Sequence, residues 1–170
     1  MYKFWNEWKW AIITGILILV AGISLRIYHL TILPVFADEA IYVRWSQIMA
    51  NEPTLRFLPL SDGKQPLYMW ILMFLVKYSL DPLLVGRLLS AVSGIGTLLG
   101  IFALSFLLFK SKKVSLVAAL IWAISPFGLF FDRLALVDSM LNLFGVWSIF
   151  FGILMAKTKR LDTTMITGFF

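Results

Sequence analysis

The sequence contains no cysteine and only one histidine, His29, among its 170 residues. The absence of cysteine excludes disulfide bonds and thiolate zinc sites, and a single histidine excludes a histidine-rich metal cluster. Charge is also scarce, because 14% of the residues are Asp, Glu, Lys or Arg, whereas soluble domains contain about a quarter. Acid–base chemistry within this chain would therefore depend on carboxylates, lysine or tyrosine.

What the chain does contain is mostly apolar: 61% of its residues are hydrophobic and its mean hydropathy is +0.90. So apolar a chain cannot cover a water-facing surface, and its seven tryptophans suit helix ends at a membrane interface. The net charge of +6 comes from short Lys/Arg clusters beside apolar runs, a pattern typical of membrane proteins rather than of nucleic-acid-binding surfaces. We therefore expect an all-α, polytopic integral membrane protein. Its partners are expected to include membrane lipid and not nucleic acid.

Four apolar stretches are long enough to cross a bilayer, which takes roughly 20 residues. They lie at about 10–25, 88–109, 114–131 and 139–156. The first lacks a small-residue cleavage site and is followed by three others, so it is not a signal peptide. A fifth stretch, Leu67–Val76, has only ten residues and is predicted to lie on or dip into the membrane surface.

The distribution of Lys and Arg supports this topology through the positive-inside rule. If Leu67–Val76 does not cross, eight of the 15 Lys and Arg residues are cytoplasmic, and if it crosses only five are. Those eight are Lys3, Lys9, Lys110, Lys112, Lys113, Lys157, Lys159 and Arg160. The sequence thus predicts a cytoplasmic N-terminus and a long outer loop over about 27–87. Because the chain turns apolar again from Leu161 onward, we expect residues 1–170 to be the N-terminal part of a longer transmembrane domain.

The outer loop is predicted to contain an amphipathic helix over Ala37–Asn51, with apolar residues at helical spacing on one face. Such a helix lies along a membrane surface. Asp38 and Glu39 fall in its first turn. The simplest interpretation is that Asp38 caps the helix and Glu39 complements its dipole. The alternative is that this carboxylate pair, followed by Tyr42, belongs to a polar site.

Asp138 lies at the start of the fourth span, on the same predicted side of the membrane as Asp38. Ionisable groups at membrane depth are costly and are candidates for function, although Asp138 could instead cap its helix or pair with Arg133. Lys64 and Arg87 have two interpretations as well. Each could bind an anionic phosphate, or merely anchor a helix end at the interface.

Two features of the spans predict packing and shape rather than chemistry. Gly96 and Gly100 form a GxxxG motif, which is typical of close helix–helix contact in membranes. Pro126 predicts a bend in the third span, because proline has no N–H to donate to the preceding turn.

Four motifs follow one another along the chain. They are Ala37-Asp38-Glu39-Ala40-Ile41-Tyr42, Lys64-Gln65-Pro66-Leu67-Tyr68-Met69-Trp70, Gly86-Arg87-Leu88-Leu89-Ser90-Ala91 and Arg133-Leu134-Ala135-Leu136-Val137-Asp138. In this order and spacing they resemble the N-terminal part of the GT-C glycosyltransferases, most closely the protein O-mannosyltransferases and the lipid A aminoarabinose transferases. The resemblance covers nearly the whole chain. It departs at Gln65, where the family usually has Lys-Pro-Pro-Leu or Lys-Pro.

The resemblance implies a GT-C-like helical bundle with glycosyltransferase activity. Such an enzyme transfers a sugar, with inversion, from a polyprenyl-phosphate donor to an acceptor hydroxyl or phosphate on a lipid, a protein or a cell-surface polymer. Its active site faces the extracytoplasmic side, and we expect the location to be the plasma (inner) membrane. Because family members have many more spans, the fragment is not expected to be active alone.

The resemblance also assigns roles to particular residues. It implies that Asp38 is the catalytic aspartate and Asp138 a second acidic position, with Glu39 as a further catalytic candidate. It places Lys64, Arg87 and Arg133 near the donor phosphate, with Tyr42 as another substrate-binding candidate. No cofactor is clearly required, and if a divalent cation is used, Asp38 and Asp138 would be its ligands.

Two other functions suit a polytopic membrane chain. A transporter or channel should have acidic residues in the middle of its spans, and the central portions of the four predicted spans have none. A non-catalytic membrane assembly factor could have kept the fold and lost the activity. The sequence alone does not separate this last alternative from an enzyme.

Overall fold

The computed structural model describes residues 2–79 and 81–169, and all regular structure within them is helical, which confirms the all-α prediction. The α-helices are α1 (Tyr2–Ile27), α2 (Ala37–Asn51), α3 (Leu67–Val76), α4 (Pro82–Phe109), α5 (Lys112–Ile124), α6 (Pro126–Asp132), α7 (Val137–Thr158) and α8 (Leu161–Phe169). Short 3₁₀ turns at Leu30–Ile32, Pro53–Leu55 and Leu58–Asp62 lie in the connections around α2.

Three of these helices, α1, α4 and α7, are long and apolar enough to span a membrane, and α5 with α6 makes a fourth span if the two are taken together. The molecule is therefore a polytopic helical membrane protein. α2 and α3 have the bounds expected from the sequence. At ten residues, α3 is about 15 Å long, only half the thickness of a hydrocarbon core.

The third span is broken rather than smoothly bent. α5 and α6 meet at an angle of 59°, with Ser125 between them and Pro126 opening α6. The side chain of Ser125 caps α6 by accepting a hydrogen bond from the Gly128 N–H. The bend predicted at Pro126 is present, and the continuous helix predicted over 114–131 is replaced by two shorter ones.

α4 begins at Pro82, six residues before the start expected from hydropathy at 88. Asp81 caps it, since its Oδ1 accepts the Leu84 N–H at 3.0 Å, and Pro82 fits the first helical turn, where no N–H is needed. The consequence is that Arg87 lies inside the helix, on its second turn, instead of in the preceding loop.

Contacts between helix ends define two ends of the bundle. At the first, which we call the loop end, Arg87 of α4 donates to the carbonyl of Leu30 just beyond α1 at 2.6 Å, and Ser90 of α4 donates to the carbonyl of Leu136 just before α7. At the opposite end, Lys157 of α7 donates to the carbonyl of Leu107 in α4 at 3.0 Å. α1 and α4 are thus antiparallel, and α4 and α7 are parallel. Residues 28–81 leave and return at the loop end, so α3 does not traverse the bundle.

α2 and α3 pack on each other and onto the beginnings of α4 and α7. The shared core consists of Tyr42, Met49, Tyr68, Met69, Leu72, Met73, Leu134, Leu136 and Met140. The Tyr68 hydroxyl, buried within it, donates to the carbonyl of Gly86 at 2.9 Å. This core holds α2 and α3 against the beginnings of α4 and α7.

Glycines of α4 bring α7 close. A Cβ placed on Gly96 would lie 2.6 Å from Cδ1 of Leu143, and one on Gly100 would lie 2.8 Å from Cγ1 of Val146. Both distances are shorter than real carbon–carbon contacts, so a larger residue at either position would force the facing side chain or the helix to shift. The GxxxG motif serves helix packing, as the sequence predicted.

Candidate active site

Glu39 is fully buried at the loop end, where four N–H groups bind its two carboxylate oxygens. Oε1 accepts from Nε of Arg87 at 2.7 Å and from the backbone N–H of Ala135 at 2.8 Å. Oε2 accepts from Nη2 of Arg87 at 2.8 Å and from the backbone N–H of Phe36 at 3.2 Å. A carboxylate offers about four acceptor positions, and all of them are used here.

Arg87 likewise uses all of its hydrogen-bond donors. Besides its two bonds to Glu39, its Nη1 donates to the carbonyls of Leu30 and Leu33, and its Nη2 to the carbonyl of Pro34. Its five N–H donors thus make five hydrogen bonds, and its side chain is 0% exposed. In this structure Arg87 has no N–H left for a phosphate, and it ties the α1–α2 connection to α4. We call Glu39 and Arg87 together the loop clamp.

The electrostatics of the loop clamp favour its charged form. Burial acts to raise the pKa of Glu39, but the hydrogen bonds from Arg87, Ala135 and Phe36 outweigh burial and hold the pKa below its usual value. Glu39 therefore stays ionised at neutral pH. Because all of its acceptor positions are used, it is poorly suited to take a proton from a substrate.

Asp38 differs from its neighbour. Phe36 is the N-cap of α2, which puts Asp38 two positions inside the helix, so the cap that the sequence offered as its simplest role belongs to another residue. The side chain is half-buried, and among the residues with described side chains none forms a hydrogen bond or an ion pair with it. Glu39, and not Asp38, accepts the Phe36 N–H at the start of α2. Within the described residues, the Asp38 carboxylate therefore caps no helix.

Lys64 and Tyr42 lie beside Asp38. Tyr42 is one helical turn after Asp38 on the same side of α2, and the Lys64 ammonium donates to the Tyr42 hydroxyl at 3.0 Å. This hydrogen bond raises the pKa of Lys64, and the nearby carboxylates of Asp38 and Asp62 add to the effect. Lys64 remains an ammonium ion at neutral pH, with further N–H groups that can face an anion. Asp38, Tyr42 and Lys64 form what we call the polar triad.

Arg133 and Asp138 are at the same end of the bundle. Arg133 donates to the carbonyls of Leu25 and His29 at 2.7 and 2.9 Å and so binds the C-terminal end of α1. Asp138 is exposed on the first turn of α7 and forms no ion pair with Arg133 within the described residues. The hydrogen bond from the Ala135 N–H to Glu39 joins the segment just before α7 to the first turn of α2.

The described residues contain no group of three or more His, Cys, Asp or Glu side chains arranged to hold a metal ion. Asp38 and Asp138, the two ligands considered from the sequence, would need further oxygen donors from elsewhere to complete the six or more positions that Mg²⁺ or Ca²⁺ prefers.

Sequence reasoning missed a second buried ion pair. Nε of Arg26 donates to Oδ2 of Asp132 at 2.9 Å, with the side chains 0% and 1% exposed. The same guanidinium donates to the carbonyls of Trp122 and Ala123 at the end of α5, so it bonds both sides of the break. Gly94 makes the room, because a Cβ there would overlap the Asp132 carboxylate. Gly94 precedes the GxxxG motif in α4. The sequence signal for this ion pair is weak, because Arg26, Asp132 and Gly94 lie on three different spans and no local pattern connects them.

The fold and these contacts define a polytopic membrane protein with a polar site at one end of its bundle. Residues 63–170 match the model of the dolichyl-phosphate-mannose-protein mannosyltransferase family. The match covers more than half of the chain, which therefore belongs to this family and to the GT-C superfamily. Family membership implies a glycosyltransferase that uses a polyprenyl-phosphate-linked sugar donor. No curated protein and no solved structure matches the chain.

The matched region contains four of the residues proposed from the sequence, Lys64, Arg87, Arg133 and Asp138. Asp38 lies outside it. Its assignment depends on the N-terminal motif and on its position in the structure, beside Lys64 and one residue from the loop clamp.

Proposed function

We propose that the chain contributes the catalytic end of an inverting glycosyltransferase, which transfers a sugar from a polyprenyl-phosphate donor to an acceptor hydroxyl on the extracytoplasmic face. The observation that carries this proposal is the contrast between two adjacent carboxylates. Glu39 is buried with all its acceptor positions filled, whereas Asp38 is half-buried, unpaired among the described side chains, and next to a lysine.

In the proposed reaction, the acceptor oxygen attacks the anomeric carbon of the sugar from the face opposite the phosphate. The bond from that carbon to the phosphate oxygen breaks, and the electron pair leaves with the lipid phosphate. Asp38 takes the proton of the acceptor hydroxyl, a role worth about 10²- to 10⁴-fold in rate. Inversion follows because the new bond forms on the opposite face from the one that breaks.

The remaining residues take different parts. Lys64 is the best placed cation for the charge that grows on the departing phosphate, since it holds its proton and lies beside Asp38. Tyr42 orients the Lys64 ammonium. Arg133 has three N–H groups not used for α1 and can add a second positive charge. Asp138, exposed at the start of α7, is proposed to orient the acceptor.

Arg87 and Glu39 are positioning residues in this proposal. The hydrogen bonds from Arg87 hold Glu39, and with it the first turn of α2 that carries Asp38, against α4. The Ala135 N–H, which donates to Glu39, holds the same turn against the segment before α7. Neither has the free donor or acceptor positions that contact with substrate would need.

The proposal is tested with the full-length protein in liposomes that contain radiolabelled polyprenyl-phosphate mannose or another polyprenyl-phosphate sugar. We expect cleavage of the donor, with free polyprenyl phosphate formed in step with a labelled acceptor. Movement of the intact donor across the membrane without cleavage would instead identify a transporter. Neither cleavage nor movement with any donor would favour an assembly factor.

The orientation is tested separately by cysteine labelling, in which residues 1–170 give no background because they contain no cysteine. We expect Ala37→Cys and Asp138→Cys to react with an impermeant maleimide added outside intact cells. Lys113→Cys is expected to react only after the membrane is permeabilised. All three positions are exposed in the structure. Labelling of Ala37→Cys and Asp138→Cys from opposite sides would contradict the proposed site.

A further inference from the structure

The segment that joins α6 to α7, residues 133–136, lies between two candidate site residues. Arg133 begins it, and Asp138 follows it on the first turn of α7. The segment is not helical, and its last three residues are 2%, 0% and 4% exposed. Because the backbone N–H and C=O groups of a buried segment need hydrogen-bond partners, the side chains that supply those partners decide where the segment lies.

Side chains from α2 and α4 bind two of these backbone groups. The Ala135 N–H donates to Glu39 of the loop clamp. The carbonyl of Leu136 accepts a hydrogen bond from the hydroxyl of Ser90 on α4 at 3.2 Å. The hydroxyl of Tyr68 on α3 lies 3.1 Å from that of Ser90, and both side chains are buried. Water therefore has no ready access to replace the Ser90 hydroxyl if it is removed.

A glycine brings α4 into contact with the same segment. A Cβ placed on Gly86 would lie 2.7 Å from the Cβ of Ala135, which is closer than real carbon–carbon contacts. Neither atom could rotate away, because each is bonded directly to the backbone. Gly86 and Ser90 are one turn apart on the same side of α4. We call these two residues the α4 seat.

We propose that Gly86 and Ser90 are positioning residues for Asp138. Leu136 is the N-cap of α7, so the hydrogen bond from Ser90 to its carbonyl fixes the point at which that helix begins. Asp138 is two residues further along and moves with this turn. The inference rests on the proposed function, in which Asp138 orients the acceptor. The α4 seat itself is buried and acts through the segment, without touching a substrate.

The position of Asp138 is measured directly with spin labels in the full-length protein. Lys77→Cys and Asp138→Cys, both at exposed positions, carry the labels, and any cysteine beyond residue 170 is replaced by serine. Electron–electron double resonance should give a narrow distance distribution that Ser90→Ala broadens. Ser93→Ala is the matched control, because Ser93 is also buried on α4 but donates to the carbonyl of Leu89 in its own helix. An unchanged distribution for Ser90→Ala would overturn the proposal.

The contact at Gly86 is tested by exchanging the two small residues. Gly86→Ala should shift the mean distance between the labels, because the backbone at Ala135 has to move away. The double variant Gly86→Ala/Ala135→Gly transfers the methyl group to the other side of the contact and should restore the original distance. Gly152→Ala on α7, where nothing lies within 4 Å of the new Cβ, should change nothing. A shift that the double variant does not reverse would exclude Gly86 from the seat.

Donor cleavage in liposomes separates positioning from general stability. Ser90→Ala should lower kcat by about two- to tenfold with an unchanged donor KM, since the shift in population cannot exceed the worth of one hydrogen bond. Ser93→Ala should leave both constants unchanged. In an Asp138→Ala background, Ser90→Ala should have little further effect, because it acts through Asp138.

The outcomes for the seat and for the enzyme can be told apart. An equal loss of kcat in both backgrounds would mean that Ser90 only stabilises the fold, which contradicts the proposal. If the original protein cleaves no polyprenyl-phosphate mannose or other polyprenyl-phosphate sugar, the proposed function fails. The spin-label distances still decide whether the α4 seat holds Asp138 in place.

Discussion

Asp38→Asn is expected to lower the rate of sugar transfer by about 10²- to 10⁴-fold. Asparagine keeps the size of the side chain but cannot take the proton from the acceptor hydroxyl. Because the Asp38 carboxylate makes no hydrogen bond or ion pair with the described side chains, its removal should leave membrane insertion and thermal stability unchanged. The measurement is initial rate against donor concentration in liposomes, with the loss in kcat and little change in KM.

Glu52→Gln provides the matched control for Asp38. Glu52 follows the last residue of α2, is exposed, and lies at the opposite end of that helix from Asp38. The transfer rate of the Glu52→Gln variant should stay within about a factor of two of the original rate, because surface substitutions usually change stability by less than about 0.5 kcal/mol. Substantial transfer by Asp38→Asn would show that Asp38 is not the general base, and that another residue takes the proton of the acceptor hydroxyl.

The second large effect is expected from Arg87→Leu. This change leaves the Glu39 carboxylate buried with two of its four donors missing, and breaking a buried pair in this way costs about 3–5 kcal/mol. It also frees the carbonyls of Leu30, Leu33 and Pro34. We expect a clear fall in melting temperature in detergent, together with loss of transfer because Asp38 is no longer held in place.

Two comparisons separate positioning from chemistry at the loop clamp. Arg160→Leu breaks an Arg–carboxylate pair that is 70% and 56% exposed, and it should leave the melting temperature nearly unchanged, since water already screens such pairs. The double variant Arg87→Leu/Glu39→Leu removes both charges and should recover part of the lost stability. Recovery of stability without recovery of transfer is the expected result. If Arg87→Leu alone were fully stable but inactive, Arg87 would instead contact the donor.

The loop clamp also predicts the sign of a pH effect. Because the folded protein holds the pKa of Glu39 below its ordinary value of 4.5, this group stabilises the fold fully above that ordinary value. The contribution is lost as pH falls through the lowered pKa. At neutral pH Glu39 is fully ionised, and its contribution to the stability of the fold does not change with pH there.

The sequence anticipated the two helices between the first and second spans, α2 and α3, because local signals defined them. The amphipathic pattern ends at Asn51, and Pro66 precedes a ten-residue apolar run, so both helices could be placed without tertiary information. The roles of Glu39 and Arg87 could not be placed in this way. The two residues are 48 positions apart, and only the folded chain shows that they are hydrogen-bonded to each other.

The helix ends of the spans were less well predicted, for a related reason. Hydropathy places the start of the second span after Arg87, since a charge normally marks the membrane boundary. Here the charge of Arg87 is paired within the protein, and the helix begins at Pro82, where Asp81 caps it. A hydropathy window treats every charge as solvated, and it therefore shortens a helix whose charged residue is paired inside the fold.

The ion pair between Arg26 and Asp132 has a consequence for how the protein is made. The two residues are 106 positions apart, and the carbonyls of Trp122 and Ala123 that Arg26 also binds are nearly as distant. Throughout synthesis of the intervening chain, Arg26 has none of these partners, and an unpaired guanidinium is costly within a membrane. The contacts that tie the end of α1 to the break between α5 and α6 can therefore form only after α6 has been synthesised.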